Sequence, residues 1–305
     1  MNYIKSILTT ALALSTMSAV AQSISNDIRL SRSTIAPTFE EVKFISIGIN
    51  GGESSLHFDP DCGDRSLGGG GSFSIDYNQF FNRNWGITAG LGASLSNSKI
   101  SLDDTLKYEM KDVENNQELL FKVIMDGWTE KQRSVQLDIP IGALFRHNFT
   151  NRLTFMASAG VKLSFPLRTK YEVLEGSYET KGYYKKTGVE IDDLPHHGFL
   201  LTDPRPASKI PTKVVSASLF LDATLINRLN RNINIFYGVF AALGVTDNGK
   251  SHDDAVVDPN RKYTSVMASD KVDRFNVRNF GLRAGIKIPI SFFRNRFGKY
   301  HHSSY

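Results

Sequence analysis

The sequence has one cysteine, Cys62, in 305 residues, so no internal disulfide can form. Cys62 reads as an unpaired thiol in a connecting segment. After Gln22 no window approaches 18 residues free of charge or of Gly, Asn and Ser interruption, which excludes a membrane-spanning helix there. A β-barrel stays open, because its strands give a far weaker hydropathy signal. Charge of one sign is also lacking. Lys and Arg total 36 against 31 for Asp and Glu, the net charge is +5, and basic and acidic residues are interspersed. That balance argues against a nucleic-acid partner. Gly-x-Ser-x-Gly, His-Glu-x-x-His, Walker and dinucleotide motifs are all missing.

The N-terminus carries Lys5, then an apolar stretch from about Ile7 to Val20, then Ala19-Val20-Ala21. A basic start, an apolar core and small residues at the cleavage site make a signal peptide over 1–21. Ala19 and Ala21 are the residues read by the peptidase, and cleavage falls before Gln22. Thr9, Thr10, Ser15, Thr16 and Ser18 break the stretch, which disfavours a retained anchor. Export makes a nucleic-acid partner still less suitable. Residues 22–41 read as a polar periplasmic lead-in, and 294–305 as a periplasmic tail.

Between these ends the chain alternates apolar with small or polar residues at a period of two, the strand signal. Trp85, Ile87, Ala89, Leu91, Ala93 and Leu95 oppose Gly86, Thr88, Gly90, Gly92, Ser94 and Ser96. The same pattern recurs over Val135–Arg146, Leu153–Phe165 and Phe280–Phe292. Phe44–Ser54, Ser72–Gln79, Lys213–Leu225 and Ile233–Val245 complete a set of eight, and a closed antiparallel barrel needs an even number. Three connections are short and polar, near Asn82-Arg83-Asn84, Thr150-Asn151-Arg152 and Asn227 to Asn232. Four are long: Ser55–Leu67, Ser101–Gln132, Glu172–Thr212 and Thr246–Arg274. Leu106–Met125 reads as a hairpin about Asn115-Asn116, and the prolines between Pro195 and Pro211 argue against regular structure there.

The expectation is therefore an all-β fold: a closed antiparallel eight-stranded transmembrane barrel over 42–293, with short periplasmic turns and long extracellular loops. The apolar face runs long enough to meet lipid. The small-residue face could not cover a soluble barrel. Phe80, Phe81, Trp85, Phe149, Phe155, Phe292 and Phe293 gather by the short turns as an aromatic girdle. Asp76, Asp138, Lys162, Asp222, Arg283 and Lys287 all fall on the inner face, with Asp138 and Lys162 expected as neighbours. Eight strands leave an interior that side chains fill, so a plugged barrel is expected.

The lead strand Phe44-Ile45-Ser46-Ile47-Gly48 resembles those of the eight-stranded outer-membrane barrels, OmpA-like and PorT-like. So do Leu137-Asp138-Ile139-Pro140-Ile141-Gly142 and Gly281-Leu282-Arg283-Ala284-Gly285-Ile286-Lys287. The resemblance covers about 42–293. It implies an integral outer-membrane protein that is no enzyme, uses no cofactor, and contacts lipid and envelope or secretion-complex proteins. It departs from the family in its basic tail after Phe293. A small porin-like channel or transport component is the alternative. A loop hydrolase built on Asp192, Asp193, His196 and His197 is the second. Asp59, Asp61 and Asp64, or His252, Asp253 and Asp254, are candidate cation ligands.

Overall fold

The computed structural model describes residues 43–112, 117–150, 152–192, 194–202, 204–229, 233–250, 254–258 and 262–290. The expected signal peptide with Ala19, Ala21 and Gln22, the expected lead-in and tail, and Phe292 and Phe293 lie outside the described residues.

Among the described residues thirteen strands follow in order: β1 (Lys43–Phe58), β2 (Asp64–Leu67), β3 (Gly69–Phe80), β4 (Trp85–Leu102), β5 (Thr105–Lys111), β6 (Glu118–Asn148), β7 (Leu153–Tyr184), β8 (Val189–Ile191), β9 (Leu201–Thr202), β10 (Ala207–Lys209), β11 (Ser216–Arg228), β12 (Asn234–Gly244) and β13 (Phe275–Pro289). Eight form an antiparallel ring, β1-β3-β4-β6-β7-β11-β12-β13. The ring closes where β13 pairs with β1, from Phe44 opposite Pro289 to Phe58 opposite Phe275. Closure leaves the ring no unpaired edge, so every strand has hydrogen-bonding neighbours on both sides.

The pleat sorts side chains between two environments. On β6 the outward row is Phe145, Ala143, Ile141, Ile139, Leu137 and Val135, and then it turns to Arg133 and Lys131. The apolar part fits the roughly 9–11 residues a tilted strand needs to cross a bilayer. Its members stay open to the surroundings: Ile49 is 65% exposed, Leu91 59% and Ile141 55%. Water would penalise such a belt, whereas hydrocarbon does not. The inward row is polar, with Ser46, Asp76, Thr88, Gln136, Asp138, Ser158 and Asp222 all buried.

Above the belt the structure departs from the expected loops. β6 and β7 run for 31 and 32 residues, so the presumed loops Ser101–Gln132 and Glu172–Thr212 are largely strand. The expected hairpin over Leu106–Met125 is present: β5 pairs with β6 from Thr105 opposite Ile124 to Lys111 opposite Glu118, and residues 113–116 between them lie outside the described residues. The proline-rich stretch also holds β9, β10 and a short 3-10 turn at Pro195–His197. Bulges separate the two storeys. The β6–β7 register shifts at Asp126/Thr129, Thr129/Glu130 and Val135/Gln136. Gly127 takes φ +56° and Gly176 φ +102° at the first of these, and a Cβ on Gly176 would lie 2.3 Å from the Trp128 backbone.

The upper storey has its own apolar core. Leu56, Ile100, Phe121, Val123, Trp128, Tyr178, Phe199 and Phe275 pack together there with Val256, Val266 and Met267 from the segment before β13. Each fully buried large side chain contributes about 1.5–3 kcal/mol. The described parts of the connection Thr246–Arg274 therefore fold over the barrel mouth instead of standing away from it.

Candidate functional site

The candidate site is the lumen between this cap and the turn end. Asp76 stands on β3, Arg283 on β13 and Asp222 on β11, each two strands from Arg283 around the ring. The Arg283 guanidinium pairs with both carboxylates, so it braces the barrel across its width. Ser74 Oγ accepts from Arg283 at 3.1 Å, and Ser158 Oγ donates to Asp222 at 3.0 Å. Asp138 Oδ2 lies 3.4 Å from Lys162 Nζ, and Ser164 Oγ donates to Asp138 Oδ1 at 2.6 Å. Lys287 sits apart. Its ammonium is 3.5 Å from the Met156 sulfur and 5.1 Å from the centre of the Phe236 ring. Gly285 admits that ring, since a Cβ there would lie 2.7 Å from Phe236 Cζ.

The six charges balance in sign, three against three. Isolated charges in such an interior each cost several kcal/mol, which ion pairing offsets for five of the six, while Lys287 rests on Met156 and the Phe236 ring. A polar cavity of about 80 Å³ remains among them, bordered by Ser46, Asp76, Asp138, Lys162, Asp222 and Arg283.

Apolar groups close the turn end. Phe44, Phe80, Leu144 and Met156 form a small buried cluster, and Arg146 lies 4.0 Å above the Phe80 ring. Phe80 thus corrects the expected girdle. It shares the inward parity of Asp76 and Asn78 and is 2% exposed. Phe81, Trp85 and Phe149 are exposed at that end, and Phe155 is half-buried on the outward row. Trp85 packs edge-on against Phe145 at 5.1 Å.

At the mouth, Glu130 is fully buried. It accepts from Tyr263 Oη, Ser265 Oγ and Gln132 Nε2 at 2.6 Å each, and from the Val266 N–H at 3.3 Å. Burial raises its carboxyl above the ordinary 4.5, opposed by those four donors. Sequence reasoning passed over Glu130, because it lies in the polar stretch Thr129–Ser134, where nothing marks one acid as buried.

The remaining candidates disperse. His197 Nδ1 lies 3.5 Å from Asp112, which also accepts from Tyr184 Oη at 2.6 Å. Asp192 is 3.8 Å from Lys181, His196 is exposed, and Asp193, His252 and Asp253 lie outside the described residues. Asp59, Asp61 and Asp64 are exposed, and among the described residues no three metal-ligating side chains converge. Cys62 is buried in the cap core, and burial pushes its thiol up to about 11.

A family model described as the outer membrane protein beta-barrel domain matches residues 21–305. The chain belongs to that family. It is an integral outer-membrane β-barrel. Comparison with curated proteins finds no match. Among solved structures it is similar to neisserial surface protein A, at 12% identity and TM-score 0.34, covering 81% of this chain and 96% of that one. It is similar to Ail, the attachment invasion locus protein of Yersinia pestis, at 15% identity and TM-score 0.28, covering 80% and 98%. The complex of Ail with the heparin analogue sucrose octasulfate gives 13% identity and TM-score 0.28, covering 81% and 99%.

Proposed function

We propose that this family member is a non-enzymatic, non-conducting barrel that anchors and displays a folded β cap for contact with a partner outside the cell. The observation that carries this reading is the closure of the lumen at both ends. Phe44, Phe80, Leu144 and Met156 fill the periplasmic end. Arg283 braces the middle against Asp76 and Asp222. Glu130 and the 263–268 segment occupy the mouth. A pore needs a continuous wet path, and this interior is interrupted at two levels. The cap is held by a core rather than by loop entropy, so it offers a fixed surface, which lowers the ordering cost of binding. Leu201 and Val189, 69% and 49% exposed, stand on that surface.

Photo-crosslinking in intact cells tests the reading. A crosslinking residue at Leu201 or Val189 is expected to give discrete protein adducts, while one at the belt residue Ile141 gives lipid adducts alone. Cap positions that yield no protein adduct would count against a display role.

A further inference from the structure

Just above the lipid-facing belt, one quadrant of the barrel carries a row of cations that make no ion pair among the described residues. The register sets the row. Lys99 lies directly opposite Lys131, Arg133 opposite Lys170, Lys170 opposite Lys209, and Arg168 opposite Val135. All are on the outward face, from the level of Val135, which Arg168 faces, to two pleats above Leu95 and Val135, and the exposed Leu167 stands beside Arg168. Like charges placed directly opposite on neighbouring strands destabilise a sheet. Arg133 Nε donates to Asn97 Oδ1 at 3.1 Å, and among the described residues none of the six stands in an ion pair. Glu172, opposite Lys131, is the acid that interrupts the row. Beside the row, just before β11, Lys213 is instead neutralised by Asp247 at 2.7 Å. Lys99, Lys131 and Arg133 also line a cleft of about 290 Å³ beneath Leu67.

With the cap outside, as in the proposed function on which this rests, cations at this height meet the headgroups of the outer leaflet. We infer that Lys99, Lys131, Arg133, Arg168, Lys170 and Lys209 form a docking site for the phosphates of an anionic lipid headgroup. Apolar contact along Leu95 and Val135 would seat the acyl chains, and the phosphates would separate the facing lysines. Recognition needs both parts, since an inorganic anion has no tail to bury. Each Lys or Arg near an anionic membrane surface adds about the same increment, so the row acts as a sum.

The test uses the full-length protein folded in zwitterionic micelles, with bound lipid counted by native mass spectrometry. It is titrated with bis-phosphorylated lipid A, with the same lipid stripped of phosphate, and with inorganic phosphate. The wild type is expected to retain the phosphorylated lipid alone. The variant Lys99→Gln/Lys131→Gln/Arg133→Gln/Lys170→Gln is expected to weaken retention at least about tenfold. The control Lys107→Gln/Lys111→Gln, on the cap strand β5, should leave it unchanged. Without lipid, the fourfold variant should unfold at or above the wild-type temperature, because it removes like-charge pairs. Undiminished retention by the fourfold variant would overturn the proposal. So would equal retention of the dephosphorylated lipid, adducts with inorganic phosphate, or a clearly lower lipid-free unfolding temperature.

Discussion

Trp128 Nε1 donates to Tyr263 Oη at 2.9 Å, and this bond ties the β6–β7 hairpin to the segment that precedes β13. Tyr263 then donates to Glu130, whose carboxyl also receives Ser265 and Gln132. The Trp128 and Tyr263 rings lie 4.9 Å apart, and Tyr178 packs edge-on against Trp128 at 5.5 Å. Separate long connections are thereby made into one packed unit over the barrel mouth.

Truncating the centre of that unit should loosen the cap and spare the barrel. Trp128→Ala removes a fully buried indole and is expected to cost about 3–5 kcal/mol of cap stability. Limited proteolysis should then cut the cap, while the protected barrel fragment keeps its heat-modifiable migration.

Cys62 reports the same opening by chemistry. Its buried thiol, pushed up to about 11, is almost wholly protonated at neutral pH and shielded from reagents. Maleimide labelling of the folded protein should be slow, and Trp128→Ala should accelerate it at least about tenfold, following the larger open population. Equal labelling rates in the two proteins would argue against a cap that opens as a unit.

Glu130 should give the cap a pH dependence. Its folded carboxyl lies above the unfolded value near 4.5, so the folded state holds its proton more tightly. The stability it contributes is full below that unfolded value and is lost as pH rises through the raised folded one. Hydrogen exchange of cap amides should therefore speed up across that window in the wild type, by more than in Glu130→Gln. A matching slope in both proteins would remove Glu130 as the cause.

The lumenal brace predicts a different phenotype. Arg283→Ala leaves Asp76 and Asp222 buried without their cation, at an expected cost of about 3–5 kcal/mol. The barrel itself should then lose its folded migration at a lower temperature, with the cap lost alongside it.

The barrel wall was legible because each membrane strand repeats one environment on each face. Ile139, Ile141 and Ala143 against Gly142 and Leu144 needs no partner to be read as a strand. The short turns were legible from Asn and Arg runs. Of the cap only the β5–β6 hairpin was, because bulges reset the parity. Leu119, Phe121, Val123 and Met125 point inward at odd positions, whereas Trp128, Gln136 and Leu144 do so at even ones. A period-two reading loses its phase at Gly127. The segment with Val256 and Met267 has no period at all, since it packs as an irregular lid. Inner charges could be named from parity, but Arg283 reaches carboxylates two strands away on either side, a distance fixed only by ring closure. Phe80 was misplaced for a related reason: proximity to a turn says nothing of which face a residue takes.

Single-channel recording in planar bilayers tests the closed lumen most directly. Purified wild-type protein, inserted and shown to be folded by its migration, should remain electrically silent. Reproducible unitary conductance steps from the wild-type barrel would contradict a lumen filled by Arg283 and its partners and sealed at Phe80 and Leu144.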